Sequence, residues 1–81
     1  AAFIYQVLTK AKERFASHSV EEVTAFVKEQ FAEKAEFELE YFIIADERTL
    51  QPATEKEAGV AYRAFIVAYI EGVRLIDNLA F

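Results

Sequence analysis

Cysteine is absent from these 81 residues, so neither a disulfide nor a thiolate metal site can be built. The absence suits a reducing compartment. Basic residues are few: nine Lys and Arg stand against fourteen Asp and Glu, for a formal net charge of −5. A chain so acidic replaces few phosphate counterions, which makes it a poor nucleic-acid binder. No apolar run reaches the roughly 20 residues needed to span a bilayer. No charged segment leading into an apolar stretch opens the chain, as a secretory signal would require. The sequence starts Ala1-Ala2 rather than with Met, as a piece of a longer protein would. Together these absences describe a cytoplasmic piece that binds neither nucleic acid nor membrane.

Hydrophobic residues are plentiful. They make up 54% of the chain, above the usual 45–50% or so. The excess points to one more buried surface than a domain of this size needs for itself. Phe3, Ile4, Val7, Leu8, Ala11 and Phe15 fall within one arc at 100° per residue, which predicts a helix over 3–15. Residues 16–18 break it. Ser19 and Glu22 have the spacing of a capping box, so a second helix starts there and fades near Lys34. Its apolar stripe is Val20, Val23, Phe26, Val27 and Phe31.

From Phe37 the period changes to two. Phe37, Leu39, Tyr41, Ile43 and Ala45 would share one strand face, and Glu38, Glu40, Phe42 and Ile44 the other. Asp46 can cap a short turn to Leu50, and Pro52 stops its extension. Residues 53–59 read as a polar loop ending in Gly59. The apolar run 60–71 reads as a strand buried on both sides. Gly72 supplies a tight connection, and a third strand over 73–79 must return antiparallel. The expected fold is α+β: a two-layer sandwich, two N-terminal helices packed on a three-stranded, mostly antiparallel sheet, forming a single domain over 1–81.

Few polar sets could carry chemistry. Arg74 could reach a phosphate or carboxylate at an interface, or simply pair with a carboxylate of its own chain. Asp77 and Asn78 would then fix the strand end by side-chain-to-backbone hydrogen bonds. Glu36, Glu38 and Glu40 share a strand face, but without a tight Gly turn or a second acidic segment they read as a solvated face rather than a cation site. His18 stands alone in the connection between helices and lacks the positioned partner that acid–base work requires. No catalytic, cofactor-binding or metal-ligating residue is assigned. Two helices can cover only one sheet face. If Leu39, Tyr41, Ile66 and Ile70 face the helices, then Phe42, Ile44, Phe65, Val67 and Tyr69 need another cover, with Arg63 and Glu71 near its rim. That set, with Arg74, is the candidate interface.

Three segments together resemble the pantoate–β-alanine ligases. Tyr41-Phe42-Ile43-Ile44-Ala45-Asp46, followed by Thr49-Leu50-Gln51-Pro52, is similar to the family's Y-x-x-x-x-D-x-x-T-L-x-P. Arg63-Ala64 opens an apolar strand. Gly72-Val73-Arg74-Leu75-Ile76-Asp77-Asn78 is similar to the family's G-x-R-L-I-D-N near the C-terminus. Tyr5-x-x-Leu8 in the first helix also fits. The resemblance implies a C-terminal lid domain. In the whole enzyme, pantoate and β-alanine condense with ATP and Mg²⁺ through a pantoyl adenylate. A larger N-terminal domain carries the nucleotide-binding signatures, His-x-Gly-His and a K-M-S-K-S-like loop, neither of which occurs here. The partner implied is that N-terminal domain, and the 81-residue chain is expected to be inactive alone. Two other readings stand beside it. One is a free-standing interaction module that forms a homodimer through its exposed sheet face. The other is a small ligand-binding regulatory domain.

Overall fold

Five elements follow one another: α1 (Ala2–Phe15), α2 (Val20–Ala32), β1 (Phe37–Asp46), β2 (Tyr62–Ile70) and β3 (Val73–Ala80). The computed structural model describes residues 2–81. The expected two-layer sandwich is what forms, with a fully antiparallel sheet ordered β1-β2-β3.

Local chemistry explains the boundaries. Ser19 is the N-cap of α2: its Oγ accepts from the Glu22 N–H at 3.1 Å, while the Ser19 N–H donates to Glu22 Oε1 at 2.9 Å. This reciprocal pair satisfies two donors that a helix start leaves open. At the end of α1, the Ser17 and His18 N–H groups both donate to the Arg14 carbonyl. Lys56 then reaches over from the loop before β2. Its ammonium lies 4.5 Å from the Phe15 ring centroid and donates to the Phe15 and His18 carbonyls. A cation suits the negative end of a helix dipole. It also ties the loop to the helix layer.

β2 and β3 form a hairpin whose two-residue turn is Glu71-Gly72. Both turn residues have positive φ, 50° and 79°. Positive φ at both central positions is the type I′ pattern, whose twist matches that of paired strands. It ends β2 at Ile70 and makes Glu71 a turn residue, not the last residue of the strand.

The core lies between the helices and the inner face of the sheet. Ile4, Val7, Leu8 and Ala11 come down from α1, and Val23 and Val27 from α2, all 2% exposed or less. From the sheet they meet Phe42, Ile44, Ala64, Ile66 and Ala68. Ala64 and Ala68 flank Ile66 on the inner face of β2, while α2 lies closest to β1 and α1 to β3.

The assignment of faces in β1 requires correction. Leu39 pairs with Ala68 and Tyr41 with Val67, which leaves Glu40 as an extra residue, a β-bulge. One inserted residue shifts the alternation by one. Phe37 and Leu39 therefore face the helices before the bulge, and Phe42 and Ile44 face them after it. Tyr41 and Ile43 turn to the other side. Phe42 and Ile44, 8% and 2% exposed, belong to the domain's own core and not to an uncovered surface.

Candidate docking face of the sheet

Cross-strand partners share a face, so the register defines the outer surface. Tyr41 pairs with Val67, Ile43 with Phe65, and Ala45 with Arg63. On the other side of β2, Val67 pairs with Ile76, Phe65 with Asn78 and Tyr69 with Arg74. Phe65, Val67, Tyr69 and Arg74 thus stand together as expected, while Phe42 and Ile44 leave the set. Tyr41, Ile43 and Ile76 enter it. Tyr41 is 39% and Ile76 66% exposed. Val67 is buried, yet its cover comes from its sheet neighbours and not from the helices.

The alternation along β2 is informative. Its helix-facing side holds two alanines, Ala64 and Ala68, about Ile66. Its outer side holds Phe65, Val67 and Tyr69. The middle strand therefore turns Phe65, Val67 and Tyr69 away from the side on which Tyr62 and Ile66 join the core.

Polar groups bracket the apolar strip. At one end, Arg74 on β3 grips Glu40 of the β1 bulge with two bonds, Nε to Oε1 at 3.2 Å and Nη2 to Oε2 at 3.0 Å. The pair reaches across β2 beside Tyr69. The Arg74 bonds first, and the neighbouring Tyr69 hydroxyl second, hold the Glu40 carboxyl below its ordinary value of 4.5. The Glu40 carboxylate raises both the Tyr69 hydroxyl and Arg74. Glu40 is thus part of an ion pair rather than a member of a simple solvated ladder. Asp77 and Asn78 act locally, since the Asn78 N–H donates to Asp77 Oδ1 at 2.8 Å.

At the other end, Arg63 donates from Nη1 to Asn78 Oδ1 at 2.6 Å. Its nearest carboxylate, Glu47 Oε1, lies 3.7 Å from Nη2, beyond hydrogen-bond distance. Near it the chain leaves β1 through the turn expected at Asp46. Asp46 Oδ1 accepts from the Arg48 N–H at 2.8 Å, and Asp46 Oδ2 from Arg48 Nη2 at 3.1 Å. Those Arg48 bonds hold the Asp46 carboxyl low. The turn ends at Leu50, which has φ 59° and is 62% exposed. A branched non-glycine residue in the left-handed region stores strain, and such strain clusters at functional sites. Leu50, Tyr41, Ile43, Ala45, Pro52 and Phe65 line a shallow depression of about 260 Å³ on the outer face. The sequence carries a signal for Leu50, an apolar residue inside a polar turn, but none for its backbone conformation.

His18 is half-buried between the helices, its Nδ1 3.1 Å from the Arg14 carbonyl and 3.0 Å from Ser17 Oγ. A carbonyl oxygen only accepts, so that contact employs Nδ1 as a donor. Among the described residues no three or more His, Asp or Glu side chains gather in a way that could hold a metal ion. No helix there is long and apolar enough to cross a membrane.

Comparison with known proteins places this geometry. The family model described as pantoate-beta-alanine ligase matches residues 1–80. The pantothenate synthetase of Christiangramia forsetii is 51% identical over 80 residues, covering 99% of this chain and 28% of that protein. The enzyme of the same name from Flavobacterium psychrophilum is 44% identical over the same length. Among solved structures, pantothenate synthetase from Thermus thermophilus superposes with a TM-score of 0.79 at 29% identity. That match covers 95% of this chain and 28% of the other. The chain thus spans a little over a quarter of the length of the relatives it matches. The motifs around Asp46–Pro52 and Gly72–Asn78, the two-layer fold and these matches agree, and the chain belongs to the pantoate–β-alanine ligase family, corresponding to its C-terminal domain.

Proposed function

We propose that this domain is the lid of an ATP-dependent pantoate–β-alanine ligase and that the outer sheet face is where it docks on the nucleotide-binding domain. One observation carries the reading. β2 presents Phe65, Val67 and Tyr69 away from its own core, in a chain that covers only 28% of its relatives' length. A contiguous apolar surface rimmed by polar groups marks an interaction site. In the proposed cycle ATP and pantoate form a pantoyl adenylate, β-alanine displaces AMP, and the cytoplasm is the setting. The domain's part is mechanical and electrostatic. Closing over the adenylate keeps water from hydrolysing it and completes a dry, low-dielectric site. That task calls for shape and a fitted surface, not for a nucleophile or a base.

ATP and Mg²⁺ belong to the whole enzyme. Two carboxylates bordering this face are already engaged, Glu40 by Arg74 and Asp46 by Arg48, and among the described residues no three acidic or His side chains gather for a metal. No step is assigned to Mg²⁺ on this domain. The test is direct. The 81-residue chain, incubated with ATP, pantoate and β-alanine, should release no AMP. Release that depends on both pantoate and β-alanine would overturn the lid reading.

A further inference from the structure

On the docking reading above, we infer that Arg63 and the depression beside it form the specificity-determining socket of the face. The socket takes an apolar side chain with a neighbouring carboxylate from the rest of the ligase. Several observations converge on it. The depression of about 260 Å³ is lined by Tyr41, Ile43, Leu50 and Phe65. Arg63 stands at its lip: it pairs with Ala45, which lines the depression, and lies two residues from Phe65 on the same strand face.

The arginines of the sheet and its turns are not equivalent. Arg74 and Arg48 each hydrogen-bond a carboxylate through two side-chain nitrogens. Arg63 instead bonds the neutral Asn78 amide at 2.6 Å, and its nearest carboxylate is at 3.7 Å. Asn78 is itself steadied by Asp77, so the guanidinium is oriented yet keeps donors to spare out of its five. In a chain of net charge −5, that arrangement leaves Arg63 the least tightly held of these three arginines.

The same surroundings select the anion. A planar guanidinium matches a carboxylate with two parallel bonds. Glu47 beside it repels any incoming anion, a doubly charged phosphate about twice as strongly as a carboxylate. The apolar lining asks to be covered by a protein surface rather than by a small ion in water. Leu50, held at φ 59° and 62% exposed, extends the wall that such a side chain would meet.

The experiment uses the full-length ligase. Labels on this domain and on the nucleotide-binding domain report closure by energy transfer, and hydroxyl-radical footprinting of the exposed Tyr41 and Ile76 side chains reports cover of the face. Arg63→Gln, Arg63→Lys, Leu50→Ser and Arg74→Gln are compared, with circular dichroism confirming the fold of each. Arg63→Gln should reduce the closed-to-open ratio about tenfold or more, the scale of one charged hydrogen bond. Arg63→Lys should retain part of it. Closure should weaken with salt in the parent and lose most of that dependence in Arg63→Gln. Leu50→Ser should open the domain without altering the salt dependence. If Tyr41 and Ile76 are protected relative to the isolated domain but Arg63→Gln closes like the parent, the socket inference fails and the docking reading survives. If Tyr41 and Ile76 are as reactive in the full-length protein as in the isolated domain, the docking reading itself fails. If Arg63→Gln leaves closure intact but weakens ATP binding, the arginine serves a phosphate, and the carboxylate proposal is overturned.

Discussion

Ser19 and Glu40 show how single side chains set local structure here. The Ser19–Glu22 box closes the start of α2, and nothing else in the connection replaces it. Ser19→Ala should therefore lower stability by about 1 kcal/mol, seen as a fall in the thermal midpoint with an unchanged spectrum of the folded state. An unchanged midpoint would mean that water substitutes for the cap. Glu40 predicts a pH effect of definite sign. Its folded carboxyl is held below 4.5 by Arg74 and Tyr69, so the pair contributes above that value. The contribution is lost as pH falls through the lower, folded value. The pair is solvent-exposed, with side chains 46% and 34% accessible for Arg74 and Glu40, so the effect should be small and salt-sensitive. Melts of the parent and Glu40→Gln should differ at neutral pH, and the difference should shrink as pH falls through the folded value of Glu40. A difference that stays constant into acid would assign the effect to packing at the bulge rather than to charge.

Among the elements, β1 is where periodicity misleads and where the bulge decides. The helices were legible because their apolar stripes repeat every three or four residues, and α2 also announces its start. The β2–β3 hairpin was legible because Gly72 interrupts an apolar run. β1 was legible as a strand but not in its phase. Phe37-Glu38-Leu39-Glu40 sets one alternation, and Phe42 and Ile44 then belong to the opposite one. Nothing in residue type marks Glu40 as the inserted position. Only its bond to Arg74, 34 residues away, gives the bulge an evident partner. The docking face was half legible for the same reason: β2 has no bulge, so Phe65, Val67 and Tyr69 held their side, while Phe42 and Ile44 did not. This correction makes a measurable difference. Ile44→Ala should cost about 2–5 kcal/mol, the range for emptying a core position of that size. The matching change Ile43→Ala, one residue away on the outer face, should cost far less in the isolated chain. Chemical denaturation of both variants checks the face assignment. Equal losses would place Ile43 in the core as well.

For the whole molecule, the question is what an 81-residue domain does with a sheet that has a second apolar side. In isolation that side is wetted, and Ile76, with Leu50 at its edge, is its most open point. We expect the isolated chain to self-associate through it. Phe65→Thr with Val67→Thr should raise the monomer fraction in sedimentation while circular dichroism keeps its shape. Loss of the folded spectrum would show that the outer strip supports the domain's own stability. The alternation along β2 also has a consequence for natural variation. Ile66 and its flanking alanines are judged by how much folded protein survives quality control, since about 1–2 kcal/mol there can change abundance several-fold. On the docking reading, Phe65 and Tyr69, one step along the same strand, would be judged by catalytic turnover once the enzyme is assembled. Adjacent positions on one strand would then answer to different selective pressures. Variants of the first kind should be rescued by cooler growth or by chaperones, and variants of the second kind should not.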